Sequence, residues 1–233
     1  MRMGHLVQAD IDLRDRQVRF WMDSCGGRDP VAMAVLEGGW ASCEPPLPAL
    51  IADWCARLAP LFIDIGAGSG FFSLLAGACG ARGVHAFEPT PAIRDVLSAN
   101  AISSELHQTM VVYSIDAAGL ASLGGAFPVQ AGDGAPVVLR IDAGVSAVAM
   151  LRGAGGWLAR ARPAVVLGMR AEADGPILSA WTTETGYRRF LLDPDRDAWL
   201  CEEADARPGL GQHHRVLIPA EAADRWLDRP AAA

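Results

Sequence analysis

The chain predicts an α/β fold: a doubly wound, mostly parallel, seven-stranded sheet behind an N-terminal lead-in of helix and hairpin. Three observations predict it. From residue 61 onward, apolar runs of strand length alternate with helix-length segments, the order that places parallel strands between two helix layers. The run Leu61–Ile65 breaks directly into Gly66-Ala67-Gly68-Ser69-Gly70, and a helical pattern opens behind it. A second run, Gly83-Val84-His85-Ala86-Phe87-Glu88, ends in an acid some twenty residues beyond the glycine turn, where an open sheet places a ligand-binding acid.

The elements follow in order. Residues 1–17 are polar and form either a loose arm or an added strand, and Val18–Met22 is a short strand of a lead-in hairpin. Pro30–Glu37 and Leu47–Leu58 read as helices, the second opened by Pro45, Pro46 and Pro48. Strand 61–65 leads to helix 70–79, and strand 83–88 to helix 91–100. Pro91 suits a first helical turn, where its missing N–H has no intrahelical partner to lose. Met110–Ile115 is the third strand, and the Gly/Ala-rich stretch 117–135 a loop with at most a helical turn. Strand 136–142, helix 145–160, strand 164–169, helix 176–185 and strand 187–192 complete the alternation. His214–Ile218 pairs as a seventh, antiparallel strand, after a loop over 193–213 in which Ala198–Cys201 is strand-like. The division is a lead-in or cap over 1–59, a core over 60–229 and a disordered tail over 230–233.

Composition narrows the class. A chain of 233 residues suits one α/β domain with added segments, and at 51% hydrophobic it supports a sizeable core. The net charge is −7 and every basic residue is arginine, with no basic run, which argues against a nucleic-acid partner. Cys25, Cys43, Cys55, Cys79 and Cys201 are scattered, with neither Cys-x-x-Cys nor a zinc-spaced His/Cys cluster. No metal is expected, and the thiols read as those of a reduced, cytoplasmic protein. The N-terminal residues lack the apolar run of a signal peptide, and no stretch is long enough to span a bilayer. Oligomeric state is not legible.

The glycine spacing selects the ligand. A dinucleotide fingerprint requires G-x-G-x-x-G, but the third position here is Phe71 and the pattern is D-x-G-x-G-x-G from Asp64 to Gly70. A P-loop is excluded, since the chain contains no lysine. Glycine lets the backbone approach a ligand that a Cβ would block, and the following helix offers unpaired N–H groups. Together with an acid able to hold both ribose hydroxyls, this suits a nucleoside without a pyrophosphate.

IDIGAGSGFFSLLAGACGARGVHAFEPTP and the later LRIDAGVSAVAMLRGA resemble the S-adenosylmethionine-dependent methyltransferases of the FkbM type. Those read hDhGAnhGhhshhAA…GAxVhAFEPxP and then hKhDhEGxE…hLxGA. The resemblance runs from about Val18 to Met169, includes the lead-in Asp29-Pro30-Val31…Trp40…Glu44, and fades in the last quarter. It implies a Rossmann-like fold and S-adenosylmethionine as cofactor. By resemblance Gly66, Ala67 and Gly68 pass under the methionine and ribose, with Gly70 closing the turn. Asp64 orients the loop or the amino group. Glu88 holds the ribose, Phe87 or Pro89 flanks the adenine, and Asp116 either meets its amino group or is a solvated loop acid.

The acceptor half departs from that pattern. Where the family begins DhEG, Asp142 is followed by Ala143-Gly144-Val145, and the fifth strand runs into Gly168-Met169-Arg170-Ala171-Glu172. Asp142 remains the catalytic candidate, as base or orienting group; its alternative is a cap on helix 145–160. His214, beside His213, is a further candidate because imidazole takes a proton near neutral pH; its alternative is a solvated loop histidine. Trp40 and Glu44 lie where the lead-in can close over the site. The expected reaction is methylation of oxygen on a small-molecule or glycan-like acceptor. The alternative is a diverged cofactor-binding or partner protein on the same fold.

Overall fold

The computed structural model describes residues 5–114, 134–142, 146–168, 175–192, 200–202 and 214–228. The lead-in opens with a hairpin of β1 (Leu6–Asp12) and β2 (Gln17–Asp23), paired antiparallel from Leu6↔Asp23 to Asp12↔Gln17. The polar N-terminal stretch is thus the added strand. Its alternate residues Val7, Ala9 and Ile11 are buried, and the polar residues between them face solvent. Helix α1 (Pro30–Gly38) starts at Asp29, whose carboxylate accepts from the N–H groups of Val31 and Ala32. A single 3-10 turn at Trp40–Ser42 and helix α2 (Leu47–Leu58) follow.

The core alternates β3 (Leu61–Ile65), α3 (Phe71–Cys79), β4 (Gly83–Phe87), α4 (Pro91–Ser103) and β5 (Met110–Tyr113). It continues with β6 (Val137–Ile141), α5 (Ala147–Gly153), α6 (Gly155–Ala161), β7 (Ala164–Gly168) and α7 (Gly175–Thr185). Strands β8 (Tyr187–Leu192), β9 (Leu200–Glu202), β10 (His214–Pro219) and helix α8 (Ala223–Leu227) complete it. The helix expected over 145–160 is two helices. They break at Ala154 (φ −85°, ψ 7°), between Gly153 and Gly155, two weak helix formers.

The sheet order is β5-β4-β3-β6-β7-β10-β8-β9. Seven strands are those expected, and the three-residue β9 adds an eighth at the edge of β8. Strands β3 to β7 are parallel, and β10 runs antiparallel between β7 and β8. From β3 the chain winds one way through β4 to β5; from β6 it winds the other way to β7. Right-handed crossovers then put the helices on opposite faces. Accordingly, even-numbered residues such as Phe62, Val84 and Val138 pack in one cluster with α2, α3, α4 and the hairpin. Odd-numbered Ile63, Leu139 and Val165 pack with α5, α6 and α7. The carboxyl ends of β3 and β6 meet at the switch point between the two directions, where an open α/β sheet leaves a crevice.

The lead-in is part of the first cluster and is pinned by polar contacts. Ser104 Oγ accepts from the Trp21 N–H at 2.9 Å, and the indole N–H of Trp54 donates to the Trp226 carbonyl at 3.0 Å. Cys55 and Cys79 are buried between α2 and α3, and burial pushes the Cys79 thiol up to about 12. Among the described residues no helix is long and apolar enough to cross a membrane.

Candidate functional site

The glycine turn is built by its own hydrogen bonds. The N–H groups of Gly66 and Ala67 both donate to the Phe87 carbonyl at 3.0 Å, tying the turn to the end of β4. Gly66, Gly68 and Gly70 have φ of 78°, 59° and 102°, so all three occupy the left-handed region that favours glycine. A Cβ on Gly68 would meet nothing within 4 Å, so this turn faces open space. At Gly70, the N-cap of α3, a Cβ would strike Leu97.

Glu88 lies just past β4 and is 6% exposed. Its Oε2 accepts from the Gly68 N–H at 3.0 Å and its Oε1 from the Thr90 N–H at 2.8 Å. The acid from the second strand therefore touches the glycine turn of the first. Arg94 Nη1 donates to the carbonyls of Glu88 and Pro89 at 3.0 Å, fixing the bend into α4. Pro89 is exposed, but the Phe87 ring is 1% exposed and stacks on Tyr113 at 4.4 Å and 9°. The side chain of Phe87, an odd-numbered residue, packs in the cluster under α5 and α6, and its carbonyl holds the glycine turn. Asp116 lies outside the described residues.

Asp64 is fully buried, and its two oxygens are engaged. Ser73 Oγ donates to Oδ2 at 2.7 Å, and Arg140 Nη1 to Oδ1 at 2.7 Å. The same guanidinium donates from Nη2 to Asp142 Oδ1 at 2.9 Å and lies over the Phe72 ring, 4.1 Å from its centroid. Burial opposes the charge on Arg140, yet Asp64, Asp142 and Glu44 together raise its pKa above the usual arginine range. Arg140 thus joins the glycine-turn strand to the strand end that carries Asp142. Asp142 does not cap the next helix. That helix begins at Ala147, with Ser146 Oγ accepting from the Ala149 N–H at 3.4 Å.

His214 begins β10, in register with Gly168 at the end of β7. It is 9% exposed rather than solvated, and its Nε2 lies 3.2 Å from Glu44 Oε2. The lead-in therefore reaches the carboxyl edge of the sheet through Glu44. Glu44 has φ 58°, a left-handed backbone unusual for glutamate. Trp40 is partly buried against the main core. His213 and residues 143–145 and 169–172 lie outside the described residues. Among the described residues no three His, Cys, Asp or Glu side chains are grouped to hold a metal.

Sequence reasoning missed Arg140, Ser73 and Asn100. Arg140 carried a signal: a lone arginine inside the apolar run Val137–Ile141 is buried, and a buried charge needs a partner. Asn100 did not. It sits 1% exposed on α4, accepting from the Asp23 N–H at 2.8 Å and donating to the Ser69 carbonyl at 2.9 Å.

No known family model matches the chain, and no curated protein does. Solved structures do. An uncharacterized protein from Listeria monocytogenes serotype 4b aligns with a TM-score of 0.50 at 16% identity, over 81% of this chain and 70% of that one. A SAM-dependent O-methyltransferase from Thermotoga maritima aligns at 0.47 and 14% identity, over 74% of this chain and 64% of that one. A precorrin-6y C5,15-methyltransferase from Geobacter metallireducens GS-15 aligns at 0.47 and 14% identity, over 73% and 85%. The chain thus spans less than two thirds of the Thermotoga enzyme's length. Fold and site define a Rossmann-like α/β protein whose glycine turn and buried Glu88 meet at the carboxyl ends of its parallel strands. Its structural neighbours include methyltransferases, one of them described as S-adenosylmethionine-dependent.

Proposed function

We propose that the chain is an S-adenosylmethionine-dependent methyltransferase of the FkbM type, cytoplasmic, acting on oxygen of a small-molecule or glycan-like acceptor. One observation carries the reading: the buried Glu88 carboxylate is held against the Gly68 N–H at the mouth of the glycine turn. An ionised carboxylate has about four acceptor positions. Gly68 and Thr90 take one on each oxygen, which leaves each oxygen a lone pair for a ribose hydroxyl. The open space at Gly68 admits the ligand backbone-close, and the spacing provides no pyrophosphate cradle.

In this reading Gly66, Ala67, Gly68 and Gly70 shape the floor of the cofactor site, Pro89 flanks the adenine, and Asp116 meets its amino group. Asp64 holds the turn in place through Ser73 and Arg140. The carboxylates of Asp64, Glu88 and Asp142 outnumber the Arg140 guanidinium among them and give this end of the sheet a negative field that suits a sulfonium cation. The cofactor, when bound, supplies a methyl carbon already activated by its positive sulfur, so the chain's task is mainly orientation. Asp142, fixed by Arg140, serves as the carboxylate that orients the acceptor.

The test is calorimetry of S-adenosylmethionine binding to wild type and Glu88→Gln. Each lost hydrogen bond to a charged acceptor is worth about 1.5–3 kcal/mol, so affinity should fall roughly 10- to 150-fold. Unchanged affinity removes Glu88 from the site. Tight binding of the cofactor with no label transferred to any hydroxylated acceptor favours the diverged binding protein.

A further inference from the structure

Resting on the methyltransferase reading, we propose that Glu44 and His214 form a dyad that takes the acceptor's proton, with His214 Nδ1 as the base and Glu44 as its positioning residue. Neither residue belongs to the cofactor motifs. The dyad supplies chemistry where the family's glutamates after Asp142 are absent, their places in the pattern being taken by Gly144 and Ala147.

The geometry fixes which nitrogen does what. An ionised carboxylate only accepts hydrogen bonds, so the 3.2 Å contact with Glu44 Oε2 places the imidazole proton on Nε2. Nδ1 then carries the lone pair. That atom is buried and has no hydrogen-bond partner among the described residues. Buried polar atoms are almost always paired, and an orphaned acceptor calls for an O–H donor from a ligand. A purely structural latch has no use for this lone pair. In transfer to oxygen it is the missing part.

The fold explains how the pair meets. His214 shares its parity with Val216 and Ile218, which face the cluster under α2 and α3, the face that also carries Asp64 and Arg140. In the sheet it lies opposite Gly168, which places no side chain between β10 and the end of β6. Glu44 enters this gap from the lead-in on a left-handed backbone, a conformation usually kept only where the surroundings require it. Arg140 feels Glu44 as well as Asp142, so one guanidinium lies within reach of both carboxylates. In the step, the acceptor O–H proton passes to Nδ1 and the O–H electron pair stays on oxygen. That oxygen bonds the methyl carbon as the carbon–sulfur pair leaves with sulfur. The imidazolium is balanced by Glu44, as an acid balances histidine in other catalytic dyads.

The experiment combines two readouts on full-length protein. Nitrogen-15 NMR of histidine-labelled protein, with His214 identified by its loss in His214→Asn, reads the tautomer directly. The expected result is Nε2–H with a bare Nδ1, reverting to a mixture in Glu44→Ala; an Nδ1–H tautomer in wild type overturns the proposal. Labelled S-adenosylmethionine with a panel of hydroxylated acceptors reads turnover. His214→Asn should lose on the order of 10²–10⁴-fold and Glu44→Gln a smaller factor, with cofactor affinity within about twofold of wild type by calorimetry. Turnover of His214→Asn within about threefold of wild type overturns it too. Wild type that shows the Nε2–H tautomer but does not bind the cofactor defeats the methyltransferase reading and leaves the dyad to another proton transfer. Where no acceptor turns over, the tautomer decides. Unfolding curves confirm that each variant folds, and His214→Gln serves if His214→Asn does not.

Discussion

Arg140 and Asp64 form a buried ion pair at the switch point, Nη1 to Oδ1 at 2.7 Å, with side chains 7% and 0% exposed. Removing one partner of such a pair leaves the other charge uncompensated and costs about 3–5 kcal/mol. Arg140→Met should therefore lower the unfolding free energy by about that amount in urea. Arg140→Lys keeps the charge but loses the fork that spans Asp64 and Asp142, so it should fall between. The double variant Asp64→Asn/Arg140→Met should cost less than the sum of its single changes. Strict additivity would mean that the two residues do not stabilise one another.

Gly68 and Gly70 lie two residues apart, both with positive φ, yet their alanine variants should fail differently. At Gly68 a Cβ meets open space, so Gly68→Ala bears only the left-handed backbone cost of roughly 1–2 kcal/mol. Its main effect should be on ligand affinity, because the new methyl enters the proposed cofactor space. At Gly70 the Cβ runs into the fully buried Leu97, which must shift to admit it, so Gly70→Ala should be the less stable of the two. Thermal unfolding and cofactor calorimetry on both variants separate these effects. A Gly68→Ala protein that binds S-adenosylmethionine like wild type would place the ligand elsewhere.

The parts legible in the sequence are those encoded locally. Leu61–Ile65 and the glycines behind it form one continuous signal, an apolar run of strand length followed by residues that tolerate positive φ. The hairpin strand Leu6–Asp12 alternates strictly, but Asp10 and Asp12 on its outer face made it read equally as an arm. The break at Ala154 was hidden because helical periodicity continues across it. The site depended on contacts no local pattern encodes. Arg140 meets Asp64 across 76 positions. Glu44 and His214 come together only because β10 inserts beside β7 and the lead-in folds over that edge.

His85 makes stability depend on pH. Its Nδ1 lies 2.8 Å from the Tyr113 hydroxyl, and burial holds its pKa below the usual value of 6.5. The unfolded chain therefore takes up the proton at higher pH than the folded one. This group's contribution is constant above about 6.5 and turns destabilising as pH falls from there toward the folded pKa. His85→Gln should flatten that part of the stability–pH curve while leaving stability near pH 8 little changed. Urea unfolding of both proteins from pH 8 to pH 5 measures it, and parallel curves would assign the acid sensitivity to other groups.

Asn100 links the lead-in to the glycine turn. Its Oδ1 accepts from the Asp23 N–H at the end of β2, and its Nδ2 donates to the Ser69 carbonyl inside the turn. Asn100→Ala leaves both backbone groups unpaired in a buried setting, at roughly 1–3 kcal/mol each. Asn100→Asp keeps the bond to Asp23 but turns a carboxylate oxygen toward the Ser69 carbonyl, so it should disturb the turn selectively. Relative to their losses in stability, Asn100→Asp should lose more cofactor affinity than Asn100→Ala, because repulsion moves the Ser69 segment and with it the Gly68 N–H that holds Glu88. Equal affinities in the two variants would show that the hairpin braces the fold alone and that the turn keeps its shape without it.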